Sequence, residues 1–192
     1  MWRPPVVTVA PPAEPLSTPN AIAHCRAPDD GTDDTVIAAC VASARAHVES
    51  VTGTRMVTQT VSMKTDCWAD LANLPMAPVQ SVSSISYVDT EGNVQTLSTD
   101  VYETRLEILE PAVVLKWNQT WPTIRAGSQI TVTAVVGYGS AGSQPPECLH
   151  AIRLIVGDFY AQRESVADDA MISAPLAATV DALLCNHRKH LI

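Results

Sequence analysis

The chain has 192 residues, 46% of them apolar and 17% charged, which suits one globular domain able to bury a real core and excludes a disordered chain. A formal net charge of −8, spread without long acidic blocks, leaves no basic face for gripping nucleic acid through its phosphates, although DNA passing nearby is compatible with it. No apolar stretch approaches the ~18–20 residues of a membrane span, and the opening MWRPPVVTVAPPAEP is too rich in proline for the apolar segment of a signal peptide, so the expected place of synthesis is the cytoplasm.

In chain order, Pro4, Pro5, Pro11, Pro12 and Pro15 predict an extended arm over 1–15 that makes no helix and little sheet. Ser17 or Thr18 then caps a short helix, with Pro19 in its first turn, that ends before Pro28. Asp33 and Asp34 suit the start of a longer helix. Within it Ile37, Val41, Ala44, Val48 and Val51 recur at steps of four and three, an apolar stripe reaching about Thr52, and Gly53 is the natural left-handed cap. From Arg55 the period changes to two: Val57, Gln59 and Val61 share one face of a predicted strand, and Met56, Thr58 and Thr60 the other. LPMAPVQSVSSISYVDTEGNVQTLS holds two extended runs about Asp89–Asn93 and predicts a β-hairpin. Further strands are expected at Val101–Arg105, Ala112–Trp117 and Gln129–Val136. After the turn-rich GYGSAGSQPPE, the positions Leu149, Ile152, Val156, Phe159 and Arg163 mark a second long helix, in which Gly157 allows close helix contact. A last helix starts at Pro175, turns Leu176, Val180, Leu183 and Leu184 inward, and ends in the basic tip HRKHLI. The resulting fold class is α+β: a helical layer from the N- and C-terminal helices (16–53 and 145–192), with an antiparallel β-rich subdomain (55–136) inserted between them, in one domain spanning 1–192.

Sites of chemistry are scarce. Cys25, Cys40, Cys67, Cys148 and Cys185 lie far apart with no C-x-x-C pair, so no zinc knuckle or redox motif is visible, and the odd count fits a reducing compartment. His24 and Cys25 resemble a base and nucleophile in sequence, but adjacent residues on a helix point about 100° apart. The cluster Asp29, Asp30, Asp33, Asp34 lacks the spacing and closing Glu of a calcium loop and reads as a turn plus helix cap. His187 and His190 sit three apart with only Cys185 as a further ligand nearby, which favours a solvated helix end over a metal site. Trp117 and Trp121 flank a short loop. They fit core or interface packing better than base stacking in a chain so poor in aromatics. The sequon at Asn118 is read as chance. With no phosphate-cradling loop, H-E-x-x-H or G-x-S-x-G, no catalytic residue, cofactor or metal is expected.

The order of these pieces resembles a known family. PLSTPNAIAHCRA is followed by an acidic turn and by DDTVIAACVASARAHVESVTGTRMVTQT, in which a helix ends in E-x-x-x-G. Next come the P-x-x-S-V-x-S-I-x-Y-x-D-x-x-G hairpin from Pro78 to Gly92, the pair Trp121-Pro122, VVGYG at 135–139, and PPECLHAIRLIVGDFYAQRES. Over about Pro15 to Ser165 the chain is similar to the head-to-tail connector (adaptor) proteins of tailed bacteriophages and of phage-derived gene transfer agents. It departs from that pattern at the C-terminus, where Cys185 and the basic tip follow the Leu-rich helix.

The resemblance implies a structural virion protein, assembled in the bacterial cytoplasm. Its copies would form a ring of about twelve under the portal at the head–tail junction, closed by a head-to-tail interface. Its partners would be the portal protein, neighbouring copies and a downstream stopper or tail protein, with packaged DNA passing through unread and no membrane involved. A stopper, a tail terminator and a small monomeric ligand-binding module are the alternatives. The portal-facing element is expected at the tip, where Arg188, Lys189, His190, Leu191 and Ile192 combine charge with apolar burial. The other reading of the tip is a frayed helix end whose cations complement the helix dipole.

Overall fold

The computed structural model describes residues 1–162 and 174–189. They fall into two compact units: Met1–Pro12, Gly53–Gly137 and Lys189 in one, the described residues of Ala13–Thr52 and Tyr138–Arg188 in the other. Four helices and two antiparallel sheets make the fold α+β, with all but one of the strands lying in sequence between the second and third helices.

The helical unit contains α1 (Thr18–Cys25), α2 (Asp34–Thr52), α3 (Pro146–Ala161) and α4 (Ala174–Leu184), the last followed by a 3₁₀ turn at Cys185–His187. α1 ends at Arg26, which takes the left-handed conformation (φ 53°) and donates its N–H back to the carbonyls of Ile22 and Ala23. α2 buries Ile37, Val41, Ala44 and Val48, the stripe that steps of four and three predict; Val51 is half-buried and Thr52 takes the last inward position. Thr52 can do so because its hydroxyl donates to the Val48 carbonyl at 2.7 Å. The same helix carries a charged cluster. Arg45 binds Glu14 through two nitrogens, at 2.6 and 3.3 Å, and the buried Glu49 at 3.1 Å, fixing the chain before α1 onto α2.

On α3 the inward line is Cys148, Ala151, Ile152, Ile155 and Val156. The expected stripe is thus rotated: Leu149 is half-buried and Phe159 exposed, while Arg163 lies outside the described residues. Gly157 faces α1, and a Cβ there would sit 3.6 Å from Nε2 of His24, so the close helix approach is present. Tyr160 donates its hydroxyl to the Asp33 carboxylate, joining the end of α3 to the start of α2. α4 begins at Ala174, one residue before Pro175, and buries Val180 and Leu184, with Leu176 and Leu183 half-buried.

The other unit is built on a five-stranded antiparallel sheet in the order β1-β2-β7-β3-β4. Its strands are β1 (Val6–Val9), β2 (Gln59–Thr65), β3 (Val79–Val88), β4 (Val94–Thr96) and β7 (Ile130–Val136). β5 (Tyr102–Arg105) and β6 (Ala112–Leu115) pair separately as a two-stranded sheet. β2 and β7 align in a bulge-free register, Gln59 opposite Val136 through Thr65 opposite Ile130, so their inward residues Val61, Met63, Ile130, Val132, Ala134 and Val136 form one face. Ile85 of β3, Tyr102 and Val113 of the small sheet, and Leu71 and Leu74 from the segment after β2 complete that core.

Two segments differ from expectation. The strand after Gly53 starts at Gln59, not at Arg55, because Met56 and Val57 are both buried, which an alternating strand with one solvated face cannot do. The proline-rich arm is extended, yet Val6–Val9 adds to the sheet as an edge strand on β2, with a bulge between Val7 and Val9 and prolines on both sides. Prolines are tolerated there because one side of an edge strand owes no ladder hydrogen bonds.

Candidate functional site

The basic tip is the first candidate surface. Arg188 pairs with Asp181 of α4 at 2.7 Å. Lys189 is held more firmly: its ammonium donates to the Asn73 side-chain oxygen at 2.8 Å and to the Leu109 carbonyl at 3.0 Å, and burial pulls its pKa below the ordinary lysine value. Of the expected portal-facing residues these two are engaged with their own chain, while His190, Leu191 and Ile192 lie outside the described residues. His187 lies 3.6 Å from Glu147 of α3.

Neither Cys25 nor Cys148 shows the environment of an activated nucleophile. The Cys25 thiol is pushed up, mainly by burial and secondarily by Cys40. Cys148 is pushed up by burial to about 11, so both favour the unreactive thiol. In the acidic turn Asp30 accepts the Thr32 N–H at 3.0 Å, and this bonding lowers its pKa. Among the described residues no group of three His, Cys, Asp or Glu side chains could hold a metal ion.

The two tryptophans part company. Trp121 stacks on Trp68, ring centres 4.9 Å apart and planes 1° from parallel, while Trp68 donates its indole N–H to the Pro122 carbonyl at 2.9 Å and meets Tyr87 edge-on. Trp117 is 96% exposed. It occupies the tip of a turn closed by the Gln119 N–H on the Lys116 carbonyl (3.1 Å), with Asn118 left-handed at φ 59°. Lys116 fixes the base of the turn, its N–H on Val101 O at 3.0 Å and its ammonium on Thr99 O at 2.8 Å. Core or interface packing was the expectation for both rings. Trp121 packs within the chain and Trp117 does not, in keeping with Lys116 before it and Asn118-Gln119 after it, which make a polar turn no core would accept.

A second feature without a sequence signal is an open groove of about 720 Å³ between the N-terminal half of α2 and the end of α3. Val36 and Phe159 stand in its walls, 40% and 38% exposed, and the other lining side chains are small or uncharged. The rotation of the α3 stripe creates it, by turning Phe159 outward.

No family model matches the chain, and no curated protein matches it either. Solved structures do. The chain is similar to one in the neck of an empty gene transfer agent particle computed with C6 symmetry, at TM-score 0.79 and 21% identity over 99% of this chain and 97% of that one. The same figures hold for a chain in the virion of a native gene transfer agent particle. A chain in the neck of a native particle computed with C12 symmetry matches at TM-score 0.69 and 20% identity, over 96% of this chain and 97% of that one. At such identities what is shared is the fold, along almost the entire length of both chains.

Proposed function

We propose that the protein is a structural component of the neck of a phage-like particle, the adaptor that joins capsid to tail. Its copies close into a ring of about twelve beneath the portal and extend the DNA channel toward the tail, in virions assembled in the bacterial cytoplasm. The whole chain acts as one connector domain, with the arm 1–15, the helical layer 16–53 and 145–192, and the β-rich insertion 55–136. The observation that carries this reading is the end-to-end fold match to neck chains of gene transfer agents. Burial of the Cys25 and Cys148 thiols supports a role without catalysis. A net charge of −8 suits a conduit, since carboxylates repel DNA phosphates and favour sliding over sticking.

The partners are the portal protein, neighbouring copies and a downstream stopper or tail protein. The portal contact is the segment from Arg188 to Ile192. For Lys189 to reach a partner it must leave Asn73 and Leu109, and the new contact must replace those two hydrogen bonds. The test is co-sedimentation with the portal ring from the same particle, using the full chain and a version ending at Asn186. The expected outcome is a saturable ring complex with the full chain and at least a tenfold loss of affinity on truncation. Binding by both forms moves the contact off the tip, and binding by neither removes the adaptor role and leaves a stopper or tail terminator.

A further inference from the structure

We propose that Trp117 is a knob that seats in the α2–α3 groove of the next copy of this chain, forming the contact that passes from copy to copy around the ring. The inference rests on the ring reading above. A closed ring requires a heterologous interface, in which each copy offers two different, mutually complementary surfaces. Among the described residues, Trp117 and the α2–α3 groove are a convex and a concave apolar feature that match in kind.

The convex feature is unusual for an exposed tryptophan because it is preorganised. Three hydrogen bonds fix the turn at Lys116–Gln119, so little freedom is lost when the ring docks. An indole buries roughly 150–250 Å² when it is covered, and tryptophan is the residue most often found at the energetic centre of an interface. The concave feature meets that need. Its volume of about 720 Å³ lies within the ~300–1,000 Å³ of pockets that hold small molecules, ample for one indole. Val36, Ala39 and Phe159 supply apolar wall, and the hydroxyls of Thr35 and Ser43 supply acceptors for the indole N–H. Among the described residues that line the groove none is a carboxylate or a cation.

The groove also contains its own reporter, the thiol of Cys40. The experiment uses the full chain with Gln119→Cys beside the knob, and with the exposed Cys67 and Cys185 replaced by serine. The protein is assembled on the portal ring and treated with a short bis-maleimide. Each thiol adds across one maleimide double bond, so two thioethers form with no electron transfer. A ladder of covalent multimers is expected, abolished by adding Cys40→Ser. Separately, Trp117→Ala in the otherwise native chain is expected to lower ring yield at least tenfold while leaving the melting temperature unchanged, as its side chain is in water in the single copy. A ring that sediments with the portal but gives no Cys40-dependent ladder, or a Trp117→Ala chain that assembles as the native one does, overturns the knob-and-groove contact and leaves the neck reading intact. A native chain that forms no ring on the portal removes the adaptor reading on which the contact rests, an outcome distinct from failure of the knob alone.

Discussion

At the residue scale, the ionic cluster of Arg45, Glu14 and Glu49 illustrates how a charge is carried in a helix core. Glu49 is nearly inaccessible, and Arg45 supplies its neutralising contact one helical turn away while gripping Glu14 with the rest of the guanidinium. Removing the arginine takes an ionic contact from a buried carboxylate. Arg45→Ala is therefore expected to cost about 3 kcal/mol in urea unfolding, and Glu14→Ala, whose loss leaves the Arg45–Glu49 pair intact, under about 1 kcal/mol. Equal losses from the two would show that the arm, not the buried pair, is what the cluster holds. Trp117 and Trp121 make the complementary point. Four residues apart and identical in chemistry, they differ in environment because Trp121 reaches Trp68 and Trp117 is lifted away by a left-handed Asn118.

At the scale of elements, the β3–β4 hairpin was legible because its loop chemistry and its alternation agree. Asp89 closes the loop, accepting N–H bonds from Glu91 (3.0 Å) and Asn93 (2.8 Å) and the Gln95 amide at 2.9 Å. The Gln95 bond first, then the backbone donors, hold its carboxyl below the ordinary 3.8. Because the folded value is the depressed one, the contribution is present above pH 3.8 and is lost as pH falls through the folded value. The protection of amides 88–96, taken against their intrinsic exchange rates at each pH, is expected to fall over that acid range, and Asp89→Asn to flatten the dependence; an unchanged profile would place the loop's stability elsewhere.

The V-V-G-Y-G motif owes its first glycine to a different cause. Gly137 has φ 120°, its N–H bonds Pro78 O at 2.8 Å, and a Cβ would lie 2.5 Å from the Val57 carbonyl oxygen. Backbone on one side and an unfavourable φ on the other leave no room to adjust. Gly137→Ala is expected to lose about 3 kcal/mol by thermal or denaturant unfolding. A loss under about 1 kcal/mol would mean that the end of β7 can move away from Val57.

At the scale of the whole molecule, charge sets behaviour toward DNA. With a net charge of −8, the protein is expected to pass unretained through a DNA column at ~0.15 M salt, where the screening length is about 8 Å, and lowering the salt should weaken any association further. Retention that grows as salt is lowered would reveal a basic face hidden in the sum and replace the proposed conduit with a binding surface.

The sequence by itself determined the elements whose signals are local. α2 with its stripe, the glycine at its end, the hairpin about Asp89 and the β-branched run of β7 each follow from a period of 3.6 or 2 and from turn residues that any isolated segment would obey. It also fixed the α+β class, since helical and alternating stretches occur in separate blocks. Tertiary structure alone decided which strands pair. β2 lies beside β7, with the β3–β4 hairpin and the β5–β6 sheet between them in sequence, and the arm supplies an edge strand that its prolines disguise. The same holds for side chains whose burial depends on distant partners: Phe159 turned outward on a helix predicted to bury it, Trp117 left in water, and Lys189 drawn onto Asn73 and Leu109. Periodicity reports the geometry of one segment with itself. Pairing and exposure depend on what the rest of the chain brings alongside.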